Sequence, residues 1–266
     1  MYAPTTQETT VDIQALDEAI RDMYRRVAEQ PHSAFHFETG RQLAERLGYD
    51  PARLDRIPSP AVDSFAGVGH HFGLAELREG ETVLDLGSGS GMDAFVASTS
   101  VGPRGRVVGV EMTDAQREKA AHLRDAGAEQ FANVTFVNAR IEKLPVASAS
   151  VDCIVSNGVV NLIADKDAVF AEAARVLRPG GRLAISDIVT AIPLPQSVTC
   201  NATLWAACIG GAAHREDYQH AIARAGFCIE IVQLNRQYEF LPGRAQRSAH
   251  KYAVQSISLS ARKLDS

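Results

Sequence analysis

Four cysteines in 266 residues, none in a Cys-x-x-Cys pair, leave little basis for a disulfide framework or a thiolate zinc site. Cys153, Cys200, Cys208 and Cys228 are therefore expected as reduced thiols. No stretch of about 18 apolar residues is present, which argues against a membrane-spanning helix and against a membrane partner. No basic segment precedes an apolar run at Met1-Tyr2-Ala3-Pro4-Thr5-Thr6. A secretory leader is thus not expected, and a cytoplasmic location is. Basic stripes are missing too, and the formal net charge is −5. A mildly acidic chain gains nothing from phosphate neutralisation, so nucleic acid is not an expected partner. Repeats and low-complexity segments are absent. What remains is an ordinary globular composition, 45 % hydrophobic and 22 % charged. The length suits one large core, or one core with a small cap.

The opening ten residues are polar and Thr-rich, and are expected to fray. From Val11 to Ala28 apolar residues recur at helical spacing (Ile13, Leu16, Ile20, Met23, Tyr24, Val27), which predicts an amphipathic helix ended by Pro31. A shorter helix near Thr39–Leu47 closes at Gly48. Residues 1–75 read as a helical cap with a loop around Phe65-Ala-Gly-Val-Gly-His-His-Phe72. From residue 76 onward the pattern changes. Short apolar strands at Thr82–Leu86, Arg106–Glu111, Val134–Val137, Val151–Ser156 and Arg182–Ser186 alternate with helices, one of them capped by Thr113. That alternation predicts an α/β fold: a mainly parallel sheet with helices on both faces. Residues 190–213 look like a lid. A helix at Arg215–Ala225, a strand at Phe227–Leu234 and an alternating, edge-like strand at Tyr252–Leu259 complete the plan.

The central signal is Leu84-Asp85-Leu86-Gly87-Ser88-Gly89-Ser90-Gly91, which follows a strand and opens a helix. Glycines there allow a tight turn and close approach of backbone to a ligand. The spacing is G-x-G-x-G rather than the dinucleotide G-x-G-x-x-G. Asp85 ahead of it would repel a pyrophosphate but suits a ligand carrying an ammonium and a sulfonium, as S-adenosylmethionine does. Glu111 ends the next strand, where a carboxylate can accept the two hydroxyls of a ribose. Asn138-Ala139-Arg140-Ile141-Glu142 follows strand three, where an adenine edge could lie, and Ser156-Asn157 follows strand four. All four stand at the carboxyl ends of strands, the ligand-binding edge of open α/β sheets.

These segments carry a specific resemblance. Asp85–Gly91, Val110-Glu111-Met112-Thr113 with Gln116, Ile141-Glu142-Lys143-Leu144-Pro145, Ser156-Asn157 with Asn161-Leu162 and Asp165-Lys166, and Arg175–Gly181 with Ser186-Asp187-Ile188 resemble the arsenite methyltransferases. So do Cys208-Ile-Gly-Gly-Ala212, Glu216-Asp217-Tyr218 and Ala225-Gly226-Phe227. The resemblance covers roughly residues 65–230. Its Pro-Gly-Gly element is shared with ubiquinone and menaquinone C-methyltransferases. It implies a Rossmann-like class I methyltransferase with S-adenosylmethionine as cofactor and S-adenosylhomocysteine as product. Asp85, Gly87 and Gly89 would hold the methionine end, with Ser88 of the same turn, and Glu111 the ribose. Met112 would pack on the adenosine, Arg140 and Ile141 would border the adenine, and Asn157 would line the reactive end. Gln116 counts among the cofactor residues.

The family resembled methylates trivalent arsenic held by three cysteines. Here the first of those positions falls at or beside His70 and the second is Gly158, so only Cys208 remains, with Cys200 as a conceivable helper. Soft arsenic wants soft thiolates. Their loss, and the gain of histidines, turns the expectation toward a harder, carbon-framed small molecule. Arsenite is the alternative, and a non-catalytic cofactor-binding protein the third reading. His70 and His71 are the expected bases, because histidine titrates near neutrality. Cys208 is a candidate ligand or reactive thiol. Trp205 and His214 are candidates for the substrate pocket, against packing and helix-capping roles respectively. Cys153 and Cys228 are expected in the core. No metal is expected. The assembly state is not legible.

Overall fold

The computed structural model describes residues 12–199, 205, 209–241 and 244–265. The Thr-rich start, Cys200 and Cys208 lie outside the described residues. α1 (Ile13–Glu29) begins where Asp12 accepts a hydrogen bond from the Ala15 amide at 3.1 Å. A cap of this kind is worth about 1 kcal/mol. Leu16, Ile20 and Val27 share its buried face, so the helix depends on packing for its stability. α2 (Arg41–Leu47) ends at Gly48, whose left-handed backbone lets its amide close the last turn. Three short helices follow: α3 (Pro51–Leu54), α4 (Ser59–Asp63) and α5 (Phe72–Ala75).

β1 (Thr82–Leu86), α6 (Met92–Val101), β2 (Arg106–Glu111), α7 (Asp114–Ala126), β3 (Val134–Asn138), β4 (Val151–Asn157), α8 (Lys166–Val176) and β5 (Leu177–Thr190) form the alternating body. Short α9 (Gln196–Thr199) and β6 (Ala213–His214) precede α10 (Arg215–Arg224), β7 (Phe227–Leu234), α11 (Arg244–Lys251) and β8 (Val254–Lys263). The sheet runs β3-β2-β1-β4-β5-β8-β7, with β6 beside β5. β1 to β6 pair in parallel, and β8 runs antiparallel to both β5 and β7. From β1 the chain builds outward to β3, then returns to place β4 on the other side of β1. The crevice at that reversal is where such sheets bind ligands.

Side-chain parity decides which face each residue serves. Val83 and Val155 join the apolar cluster with α6 and the cap, whereas Leu84 and Ile154 join α8 and α10 on the opposite face. Asp85 shares the parity of Val83. Its carboxylate therefore rises on the cap side, at the carboxyl end of β1. Among the described residues, no helix is long and apolar enough to cross a membrane.

Several expectations change. The strand expected at Tyr252–Leu259 as an edge lies inside the sheet, between β5 and β7. Its alternating serines are not solvent-facing. Ser258 exchanges a hydrogen bond with Ser186 at 2.7 Å, and Ser256 donates to the Val68 carbonyl at 2.6 Å. Small hydroxyls with internal partners mimic an exposed face in sequence. β7 is the edge strand instead, and Cys228 on it is exposed rather than core. Cys153 is buried as expected. The fifth strand does not begin at Arg182, after Pro179-Gly180-Gly181, as expected. β5 starts at Leu177 and absorbs these residues in an irregularity opposite Val151–Cys153. Thr113 occupies the N-cap of α7 but makes no side-chain capping bond. α11 carried no signal that sequence reading caught.

Candidate active site

At the crevice between β1 and β4 lies a cavity of about 920 Å³, measured out to its open mouth. The turn after β1 forms one wall. Gly87, Gly89 and Gly91 all hold positive φ, and the Gly87 and Ser88 amides both donate to the Val110 carbonyl, at 2.8 and 3.0 Å. A side chain at Gly87 would place its Cβ 2.4 Å from Val159, so glycine is required there. A Cβ at Gly89 would meet only Gln116, at 3.8 Å, because that position faces open cavity.

Glu111 is buried and fixed by two backbone donors, Gly89 N at 3.0 Å and Thr113 N at 2.7 Å. Burial raises its carboxyl above the ordinary range while those bonds oppose the rise. Gln116 accepts from Ser90 Oγ and donates to the Tyr24 carbonyl at 3.0 Å, which ties α7 to α1. Arg140 is paired with Asp17 of α1 and with Glu142, the latter at 2.7 Å. Asp85, Gly87, Ser88, Gly89, Glu111, Met112, Gln116, Arg140, Ile141 and Asn157, every residue expected at the cofactor, border this one cavity.

The polar atoms left over indicate what would fit. Asp85 is 1 % exposed, and its Oδ2 has no partner; neither has the buried Ser88 Oγ. Orphaned buried atoms of this kind are costly unless a ligand completes them. The charged residues on the wall are Asp85, Asp93, Glu111, Glu142 and the doubly paired Arg140. A ligand with a cationic end, a diol and an apolar flat group matches this set: carboxylate for the cation, Glu111 for the diol, and Met112 and Ile141 for the flat group. S-adenosylmethionine has those three parts.

The other end of the cavity is built differently. Asn157 accepts from the Val68 and Gly69 amides at 2.8 and 3.3 Å. Its Nδ2 faces the Gly69 carbonyl at 3.0 Å, Tyr49 Oη at 3.1 Å and Asp93 Oδ2 at 3.3 Å. Tyr49 in turn donates to Asp93 Oδ1 at 2.6 Å. One amide thus joins β4, the cap, the 67–69 loop and the first turn of α6. Asp93 and Tyr49 were missed in sequence. An acid in a helix's first turn reads as an ordinary dipole complement, and a tyrosine between apolar residues reads as core.

His70, His71, Trp205 and His214, expected at the acceptor, do not border the cavity, and Cys208 lies outside the described residues. His71 is 0 % exposed and neither ring nitrogen has a hydrogen-bond partner. Its Nε2 stands 4.0 Å from Asp93 Oδ2, and burial pushes its pKa down to about 3. His70 packs edge-on to Tyr49 at 4.6 Å and is likewise lowered, by burial and by His71. Trp205 is buried, donates to the Thr199 carbonyl at 2.6 Å and lies under the Lys166 ammonium at 5.5 Å. His214 sits at the start of α10 with Nε2 3.3 Å from the Ala191 carbonyl, and makes no capping bond. Among the described residues, no cluster of three or more His, Cys, Asp or Glu could hold a metal ion.

A family profile described as a methyltransferase domain matches residues 77–226. An arsenite methyltransferase of Halobacterium salinarum is 40 % identical over 85 % of this chain and 57 % of its own length. One from Aquipseudomonas alcaligenes is 46 % identical over 57 % of this chain and 45 % of its own. The chain spans about half the length of the curated relatives it matches. The crystal structure of an arsenic(III) S-adenosylmethionine methyltransferase from Chlamydomonas reinhardtii superposes with a TM-score of 0.64 at 30 % identity, covering 85 % of this chain and 74 % of that one.

Proposed function

The chain belongs to the S-adenosylmethionine-dependent methyltransferases, in their arsenite methyltransferase-like branch, and we propose that it methylates a small, carbon-framed acceptor in the cytoplasm. The observation that carries the cofactor half is the orphaned Asp85 Oδ2 beside the glycine turn, in a cavity bounded by Glu111, Met112 and Ile141. When bound, the cofactor supplies an electrophilic methyl group on a positive sulfur. The chain's own residues bind and orient. Asp85 and Ser88 take the cationic amino-acid end, and Glu111 the ribose. Arg140 and Ile141 border the base. Asn157 keeps the 67–69 loop against the cavity. Holding the reactants in line supplies most of what methyl transfer requires.

Residues 1–75 act in this reading as a cap and residues 190–213 as a lid, with specificity in the lid. The acidic wall and the doubly paired Arg140 favour an acceptor without phosphate. The reading is tested by S-adenosylhomocysteine formation against a panel of small organic acceptors. Tight cofactor binding without turnover on any of them would support a non-catalytic binding protein.

One observation favours a second reading. The relatives are arsenite methyltransferases, and Cys208 persists in this chain. Arsenite-dependent S-adenosylhomocysteine formation in the presence of excess thiol, abolished by Cys208→Ser, would establish it. Cofactor binding without arsenite-dependent turnover would remove it.

A further inference from the structure

Asp85 and Asp93 are two of the four carboxyl groups on the cavity wall, and of these two the protein partners only Asp93 on both oxygens. Asp93 holds Tyr49 Oη on one oxygen at 2.6 Å and Asn157 Nδ2 on the other at 3.3 Å. Asp85 Oδ2 has no partner. Both side chains are buried, at 6 % and 1 % exposure. The ionisable groups facing them are Tyr49 from the segment after α2, His70 and His71 from the loop, Glu111 from β2, and Glu142 with Arg140 after β3. His71 is neutral there, burial also lowers the pKa of His70, and Arg140 is spent on Asp17 and Glu142. Among the described residues, no cation on the cavity wall is left to balance a second negative charge.

We propose that Asp85 and Asp93 form a proton-sharing pair, with Asp85 protonated in the free protein and ionised against the positively charged methyl donor, so that the pair distinguishes the donor from its product, which lacks the sulfonium charge. The inference rests on the cofactor reading above. Two buried like charges this poorly screened do not both ionise unaided. The donors on Asp93 favour its ionised form, which leaves the proton on Asp85. Burial and the Asp93 charge raise the Asp85 carboxyl well above the ordinary range. A bound sulfonium and ammonium reverse the balance, and the proton leaves Asp85 for solvent. After transfer the C–S bond is broken, its electron pair rests on a neutral thioether, and one of the two balancing charges is gone. Reprotonation of the pair then weakens its hold on the product.

The test needs no acceptor. S-adenosylmethionine and S-adenosylhomocysteine are titrated into the protein by calorimetry, in buffers of different ionisation enthalpy, across pH. The expected result is release of up to about one proton per site with the donor and less with the product. The donor-to-product affinity ratio should rise with pH by about tenfold across that window. Asp93→Asn moves the release window to lower pH and flattens the ratio. Tyr49→Phe, which strips a donor from Asp93, moves the window the other way. Opposite shifts are not what a loss of packing produces. Donor binding with no proton release, or with release unchanged in both variants, overturns the pair and leaves the cofactor reading intact. Failure of the wild type to bind either compound overturns both.

Discussion

The two ends of the cavity are made by different rules. The strand-end wall takes each functional side chain from the carboxyl end of a strand or from the turn after it: Asp85 on β1, Glu111 on β2, Arg140 after β3. The sheet places these groups as a consequence of closing its ladder. The opposite wall is assembled from segments far apart in the chain. Tyr49, Phe65–Gly67, Asp93 and Asn157 meet only because the cap folds down on the sheet. Where the fold supplies the position, chemistry can be read from sequence. Where tertiary packing supplies it, residue type misleads. Histidine at 70 and 71 promised a base, and packing made one of them a buried neutral ring.

The sharpest way to break this contrast is at Asp85. Asp85→Ala is expected to cut S-adenosylmethionine affinity by 2–5 kcal/mol, the usual cost of removing one side of a buried charged contact. The same change removes an unpartnered buried carboxyl, so the ligand-free protein should melt at a higher temperature. Calorimetry and thermal melts of one sample read both signs. Unchanged affinity would remove Asp85 from the cofactor site.

The glycine turn separates folding from binding within a single wall. Gly87→Ala drives a methyl group to 2.4 Å from Val159 at φ +69°. It should cost the fold about 1–3 kcal/mol. Gly89→Ala, at φ +53°, meets only Gln116 at 3.8 Å. It should cost the fold about 1 kcal/mol of left-handed strain and act mainly on the ligand. Equal destabilisation by the two, measured in urea, would mean that Gly89 does not face the cofactor.

The glycine turn, the alternation of strands and helices and the ten residues that border the cavity were legible because most sit at or just after a strand end. The rest was not, because its signals are ambiguous taken one at a time. The serines of β8 imitate an exposed face, yet Ser256 holds the Val68 carbonyl and Ser258 bonds Ser186. Cys228 has the residue type of a core position and lies on the edge strand. Asp93 resembles any acid that opens a helix until Tyr49 and Asn157 are seen on its two oxygens.

His71 sharpens the acceptor side. Its folded pKa lies near 3 against an ordinary 6.5. Below about pH 6.5 the unfolded chain takes a proton there and the folded chain does not. Stability is therefore full above that pH and falls by about 1.4 kcal/mol per unit as pH drops toward 3. Between pH 7 and pH 5 the wild type should lose about 2 kcal/mol more than His71→Leu. Turnover at neutral pH should be similar in both if His71 is structural. A variant that folds, keeps the acid sensitivity and loses turnover would return His71 to the role that its sequence suggested.

The smallest effect belongs to the contact that joins the two walls across the mouth. Asp17 on α1 reaches Arg140, and Arg21 donates to the Met112 carbonyl. Both contacts stand between the cap and the edge where the adenine is expected. Arg140 is 38 % exposed on its side chain and keeps Glu142 when Asp17 is lost. A partly exposed pair with a spare partner is worth about 0.5 kcal/mol. Asp17→Asn should therefore speed cofactor release by only about twofold. The difference from wild type should shrink at high salt, since screening acts on an exposed pair and spares a buried one. Stopped-flow displacement at two ionic strengths measures it. No acceleration at either ionic strength would mean that α1 is held by its apolar face rather than latched by charge, and that the cap opens as a packed unit.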